Sequence, residues 1–197
     1  MDAKQIQTDE DRLSNWSREL SKIVRSTKNL TIGLCSGNRF NNDARIVYRI
    51  VKSLQSATAE LAPEANILLC RLDARQTSPF DLMRSRDEQL AEPKLEKSAL
   101  GNWDSVDVPI TVGNVATRSL QQVPRWLPKW KLRYNLIVVD LGPMHLVPSR
   151  VIGRLCDGSY VILGPGSCAS AQWISQYVSH HEECGAHIAG TIIAAAA

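Results

Sequence analysis

The sequence predicts an α/β protein, a mainly parallel sheet flanked by helices. Three observations point there. Short continuous apolar runs recur along the chain, as strands buried on both faces require. Stretches with a 3.6-residue apolar period lie between them, as covering helices require. The chain has 197 residues, 44% hydrophobic and 22% charged, which suffices for one compact core.

The elements follow in order. Residues 9–24 read as a helix, because Leu13, Trp16, Leu20 and Val24 fall on one stripe. Residues 30–35, Leu-Thr-Ile-Gly-Leu-Cys, read as a buried strand, and 36–42 as the turn after it. Residues 43–61 are helical, with Ile46, Val47, Ile50, Val51 and Leu54 on one face. Residues 65–71 form a second apolar strand. Residues 76–104 are polar, carry both charge signs and read as a surface insertion with a short helix near 87–90. A further strand is expected at 106–112. Residues 134–141 make the third and strongest apolar run. A helix over 148–155, a strand over 159–163, a helix over 169–183 and a strand over 188–194 complete the alternation. Gly185 stands where a helix C′ residue belongs. Two parts are expected: an N-terminal helical segment, 1–29, and an α/β domain, 30–197.

Composition excludes several classes. The chain is too apolar for a disordered polymer, and its apolar runs are too short to span a bilayer. Residues 1–10 are polar and partly acidic, unlike a signal peptide. A net charge of +3 does not by itself argue for nucleic acid. Five cysteines, an odd number, mostly in apolar stretches, read as reduced buried thiols. The expected location is cytoplasmic, with membrane contact only peripheral and made through a partner.

In parallel sheets, ligands sit at the C-terminal ends of the strands. The turns after Cys35, Arg71, Asp140 and Leu163 are therefore the places for chemistry. The strand–turn–helix over 30–54 has the layout of a phosphate-binding loop. The run Leu136-Ile-Val-Val-Asp140-Leu-Gly-Pro143 has that of a Walker B strand. The tail runs Asp157-Gly158-Ser-Tyr-Val-Ile-Leu-Gly, then a helix from Ser167, then Gly185-Ala-His-Ile-Ala-Gly190-Thr-Ile-Ile. Together these resemble the cytoplasmic ATPase domain of the bacterial tyrosine kinases of capsule and exopolysaccharide synthesis, within the ParA/MinD-like P-loop group. The resemblance covers roughly 30–193 and implies a P-loop NTPase-like three-layer sandwich. It also implies subunit contact through the N-terminal helix, so a homo-oligomer is a further expectation.

A phosphate loop works because glycines let backbone N–H groups curl around phosphates, a lysine meets their charge, and a Ser or Thr hydroxyl holds Mg²⁺. In the register that aligns strand and helix, Asp43 takes the lysine position, and Ala44 and Arg45 take the Ser-Thr positions. Phe40 and Asn42 stand where the resemblance implies glycines. A unit charge pair at ~4 Å is worth ~1 kcal/mol in water and ~4 kcal/mol at an effective dielectric of about 20. Exchanging lysine for aspartate therefore shifts ~2–8 kcal/mol. The remaining candidates for a nucleotide or anion are Gly37, Asn38, Arg39 and Arg45. The guanidinium groups could meet phosphate but have no acceptor for Mg²⁺.

On the second strand the resemblance implies aspartate, spacer, aspartate, spacer, arginine. The chain has Arg71-Leu-Asp73-Ala-Arg75, so the first acid is replaced. Asp140 matches the Walker B acid, but Leu141-Gly142-Pro143 follows it in place of Thr-Pro-Pro. Ala194 stands where the resemblance implies an asparagine, and the tyrosine-rich tail of such kinases is absent from this sequence. Asp73 and Asp140 are the only catalytic candidates.

Plainer readings stand beside these. The 36–45 loop suits a simple turn, with Asp43 in a favourable first helical turn. Asp140 suits a strand-end carboxylate paired with Arg71 or another base. His180, His181, Cys184 and His187 have ligand-like spacings, but helix ends favour histidine anyway, and no metal is expected. Cys168 suits a buried cysteine at a helix start. The segment 125–133, Arg-Trp-Leu-Pro-Lys-Trp-Lys-Leu-Arg, is basic with interleaved tryptophans. Its tryptophans suit packing onto the sheet. Its alternative is a contact made by Arg125, Trp126, Lys129, Trp130 and Arg133 with a partner protein, a membrane surface or, less fittingly, nucleic acid.

The expected function is a non-catalytic, pseudokinase-like partner protein of polysaccharide synthesis or export, without a cofactor. Two alternatives remain open. One is an unorthodox ATPase or tyrosine kinase using ATP and Mg²⁺. The other is a ParA-like binder of DNA or an anionic membrane surface.

Overall fold

Alternate residues of the central strands face opposite sides. In the run Leu136–Pro143, Leu136 and Val138 enter one core, and Ile137, Val139 and Leu141 enter the other. In the run Ile67–Arg75, Ile67 and Leu69 face the first core and Leu68 and Cys70 the second. Strands apolar on both faces need helices on both faces, and the chain supplies them.

The computed structural model describes residues 9–27, 29–37, 44–75, 92–111, 119–164 and 170–193. Their elements are α1 (Asp9–Ser26), β1 (Leu30–Ser36), α2 (Ala44–Leu61), β2 (Ile67–Arg75), β3 (Leu95–Lys97) and β4 (Asp104–Thr111). A 3₁₀ turn (Ser119–Gln121) leads into α3 (Gln122–Lys131), followed by β5 (Leu136–Pro143), α4 (Val147–Gly153), β6 (Gly158–Leu163), α5 (Ala171–Glu183) and β7 (Ile188–Ile193). The sheet has seven strands in the order β3-β4-β2-β5-β1-β6-β7. All neighbours are parallel except β3 with β4. Helices α1 and α2 cover one face; α3, α4 and α5 pack on the other. The expected α/β sandwich is therefore observed.

Helix α1 shares the core of α2. Leu20 and Val24 join Val47, Ile50, Val51 and Leu54. Buried hydroxyls line the seam: Ser17 Oγ meets Ser53 Oγ at 2.9 Å and Ser21 Oγ meets Thr58 Oγ1 at 3.0 Å. Small side chains let the two helices approach, and each hydroxyl answers another. Gly185 has φ +83° just past the Cys184 cap of α5, the left-handed C′ position expected of it.

Two elements differ from expectation. The 76–104 stretch was expected as an insertion, but β3 lies inside it and pairs antiparallel with β4. Leu-Glu-Lys is too short and too charged to signal a strand, and only the sheet edge makes it one. The short helix expected near 87–90 lies outside the described residues. The second difference is α3, which has Pro128 inside it. An interior proline costs about 3 kcal/mol. Val123, Trp126, Leu127 and Trp130 fall at i, i+3, i+4 and i+7, and all are buried. At ~1.5–3 kcal/mol for each buried side chain, their packing outweighs the proline.

Candidate functional site

Five segments meet at the C-terminal edge of the sheet: the ends of β1, β2, β5 and β6, and the first turn of α2. Residues 38–43 lie outside the described residues, so Asn38 and Arg39 have no position here, nor has the side chain of Asp73.

The junction after β1 is held by main-chain bonds. The Gly37 N–H donates to the Ile162 carbonyl at 2.8 Å, and the Met144 N–H donates to the Ser36 carbonyl at 3.0 Å. Gly37, a candidate anion ligand, thus directs its amide into the sheet. Arg45 is exposed on the first turn of α2.

Asp140 lies on the central strand β5. Its register partners are Leu34 on β1 and Arg71 on β2. The β1–β5 register then slips, so that Cys35 faces Gly142. Gly142 takes φ +72°, a turn open to glycine, and its N–H donates to Asp140 Oδ1 at 3.1 Å. The Asp140 residue is only 8% exposed. Burial pushes its carboxyl up to about 6, against the Gly142 N–H and the field of Arg71. Beside it, burial raises the Cys35 thiol to about 12, and the negative charge of Asp140 adds to the effect. Cys35, Cys70 and Cys156 are buried free thiols, as expected, and Cys184 is an exposed one.

Arg71 is not the direct partner of Asp140. Its guanidinium forks onto Asp107 of β4, with Nε to Oδ1 at 2.6 Å and Nη2 to Oδ2 at 2.8 Å. Its remaining arm donates to the Tyr48 hydroxyl on α2. Arg71 therefore acts on Asp140 through its charge alone. This Arg71–Asp107–Tyr48 group was missed in the sequence. Its one signal is an acid in the apolar run Val106-Asp107-Val108, which a neighbouring strand must answer.

Of the His/Cys segment, His180 and His181 pack, whereas Cys184 and His187 are exposed. His181 is buried, and its Nε2–H donates to the Met144 carbonyl at 2.9 Å, tying α5 to the turn after β5. Burial lowers its pKa, against the hydrogen bond to Met144. His145, Trp173, Tyr177 and His180 pack ring against ring beside it. Among the described residues no group of three or more His, Cys, Asp or Glu could hold a metal ion.

The basic segment divides in two. Trp130 is 0% and Trp126 6% exposed, so both rings pack in the core, as the plainer reading expects, and are not available to the alternative contact. Arg125, Lys129 and Arg133 stay on the outside. The apolar face of α3 is consumed by the sheet, and Arg125 and Lys129 face solvent together with Pro124 and Pro128.

The fold places the chain among known proteins. No protein-family model matches the sequence, and none of the curated proteins does. Solved structures do. The fold is that of the bacterial tyrosine kinase domains. The kinase domain of the Escherichia coli tyrosine kinase ETK superposes with a TM-score of 0.67 at 20% identity, covering 92% of this chain and 73% of that one. The VpsO kinase domain gives 0.63 at 14% identity, covering 95% and 96%. A ParA-family ATPase from Chlorobium tepidum gives 0.56 at 14%, covering 86% and 74%. At these identities the likeness establishes the P-loop NTPase-type fold and leaves activity to the site. No helix among the described residues is long and apolar enough to cross a membrane.

Proposed function

We propose that this chain is a non-catalytic relative of the exopolysaccharide tyrosine kinase domains, a regulatory or binding partner in capsular or exopolysaccharide biosynthesis. One observation carries the reading. Where the sequence of a P-loop has a lysine and a hydroxyl, this sequence has Asp43, Ala44 and Arg45, and the acid Asp140 is kept on the central strand. Two acids without the lysine repel a triphosphate. The Gly37 amide, directed at Ile162, adds no phosphate ligand. The Walker A loop is degenerate in this reading, ATP and Mg²⁺ are not cofactors, and the partner is a protein of the synthesis or export machinery.

Thermal unfolding with and without millimolar Mg-ATP and Mg-ADP tests it. A nucleotide at about 100 times its dissociation constant stabilises by about 2.7 kcal/mol, several degrees for a chain of this size. The expected shift is below ~1 °C. A shift of several degrees overturns the reading.

One observation supports a second reading, an unorthodox ATP-using enzyme. Asp140 remains at the end of the central strand, with a carboxyl near 6 that could take a proton at working pH. Asp73 would assist it, and Arg39 and Arg45 would hold phosphate. That reading predicts Mg²⁺-dependent ATP hydrolysis abolished by Asp140→Asn. It also predicts nucleotide binding weakened roughly tenfold by Arg39→Ala or Arg45→Ala, as loss of a charge-assisted hydrogen bond implies.

A further inference from the structure

Helix α3 carries its charge on one side. Arg125 and Lys129 lie one turn apart on its exposed face. Arg133 follows at the same interval just past its end. The C-cap residue Leu132 keeps φ −78° and ψ −18°, so the helical spacing carries on towards Arg133. Eight residues at ~1.5 Å rise put the outer cations ~12 Å apart. No Asp or Glu occurs between Asp107 and Asp140. Among the described residues, neither Arg125 nor Lys129 has a carboxylate partner.

The buried tryptophan orders this stripe. Lys129 Nζ stands 4.1 Å from the centroid of the Trp126 ring and Arg125 Cζ stands 5.5 Å from it. Cations held over a fixed ring lose little side-chain freedom on binding. Beside them Leu132 is 87% exposed, an apolar contact next to a charged line.

We propose that this stripe docks an acidic helical segment of a partner protein, with carboxylates at i, i+4 and i+8 flanking an apolar residue. The inference rests on the reading of the chain as a binding subunit. Charge and spacing both favour this occupant. Carboxylates four residues apart on a helix repeat at the same ~6 Å interval as the cations. A lipid surface fits less well, because Trp126 and Trp130 are buried and cannot enter an interface. A single-stranded nucleic acid fits less well for the same reason, since the rings that would stack on bases are inside the protein. The stripe is also short and fenced by acids. Glu92 lies 3.7 Å from Arg133, and Asp157 lies 3.8 Å from Lys131. A docked acidic segment exchanges the surface contact of Arg133 with Glu92 for its own carboxylate, whereas an extended polyanion meets both acids.

The test is fluorescence anisotropy of the full chain with a labelled alanine-based helical peptide. The peptide carries Glu at i, i+4 and i+8 and one Leu; its control carries Gln in place of Glu. The Glu peptide is expected to bind at least ~10-fold more tightly at low salt, and to weaken severalfold between about 20 and about 200 mM salt. The variant Arg125→Gln/Lys129→Gln/Arg133→Gln is expected to lose the preference while melting within ~1–2 °C of the parent, because all three side chains are at the surface. The Glu-substituted version of the same triple variant is expected to prefer a Lys peptide. Equal binding of Glu and Gln peptides, no binding of either, or a preference that survives in the triple variant overturns the proposal. So does tighter binding to phosphatidylserine vesicles or to a single-stranded oligonucleotide that the same variant removes. The nucleotide melt on the same sample separates the two readings. A nucleotide shift with intact peptide preference sinks only the non-catalytic reading. No shift and no preference sinks only the docking stripe.

Discussion

Two aspartates at opposite ends of the same sheet are perturbed in opposite directions. Asp104 opens β4 at the N-terminal end of the strands. It accepts the Tyr134 hydroxyl at 2.7 Å and pairs with Lys97 Nζ at 2.8 Å. Burial acts to raise its pKa, but these two partners outweigh burial, and its carboxyl lies below the usual range. Asp140 lies at the C-terminal end. There burial outweighs the Gly142 N–H and the charge of Arg71, and the carboxyl rises to about 6.

The ends differ throughout. At the N-terminal end Asp157 Oδ2 accepts the Thr31 N–H at 2.7 Å, and its own N–H returns to the Thr31 carbonyl at 2.8 Å. Asn135 Oδ1 accepts the Asn66 N–H at 3.0 Å. Each turn is closed by a side chain that answers the backbone. At the C-terminal end an acid is held inside the protein with its charge disfavoured. One end is arranged for stability. The other keeps a perturbed group where parallel sheets bind ligands.

The largest effect that would break this comparison is at Asp140. A rise from 3.8 to about 6 corresponds to ~3 kcal/mol of preference for the neutral form. Between about pH 4 and 6 the folded state holds more protons than the unfolded one, so stability falls as pH rises through that window. Asp140→Asn is therefore expected to stabilise the chain by ~2 kcal/mol or more at pH 7, with the gain fading below about pH 5. Urea unfolding across pH checks it, and a variant less stable than the parent at pH 7 would sink the account.

Next is Asp157. Asp157→Ala removes a charged acceptor from the Thr31 N–H and is expected to cost ~1–2 kcal/mol, read as a lower urea midpoint with an unchanged slope. The smallest effect is at Asp104. Its ion-pair partner Lys97 is 80% exposed, so Asp104→Asn is expected to cost under ~1 kcal/mol. Its pH dependence has the opposite sign to that of Asp140. The contribution is present above the usual aspartate value and lost as pH falls through its lowered one. If the Asn variant kept the parent's acid limb unchanged, the pairing of Asp104 with Lys97 and Tyr134 would carry no stability.

Much of this fold was legible in the residues. The strands β1, β5 and β6 appear as apolar runs because a strand covered on both faces is mostly apolar, and β7 appears as one although it lies at the sheet edge. The stripe of α2 and the glycine after α5 were equally plain. Asp140 was legible as a strand-end acid. Its direct neighbours were not. Arg71 was expected beside Asp140, but Asp107 takes its guanidinium, because the two strands on either side of β2 both place an acid level with Arg71. Choosing between them needs the positions of both carboxylates. The tryptophans of α3 were legible as rings packed on the sheet, where they lie; the helix that carries them across Pro128 was not.

Periodicity and residue identity are local properties, and they carried the alternation of elements, the parallel sheet and the inward rings of Trp126 and Trp130. That Leu-Glu-Lys becomes an edge strand, that Arg71 serves Asp107 and that Asp140 is buried came only with the folded chain. Those outcomes depend on which surfaces meet, and burial and charge pairing are settled by neighbours distant in the chain.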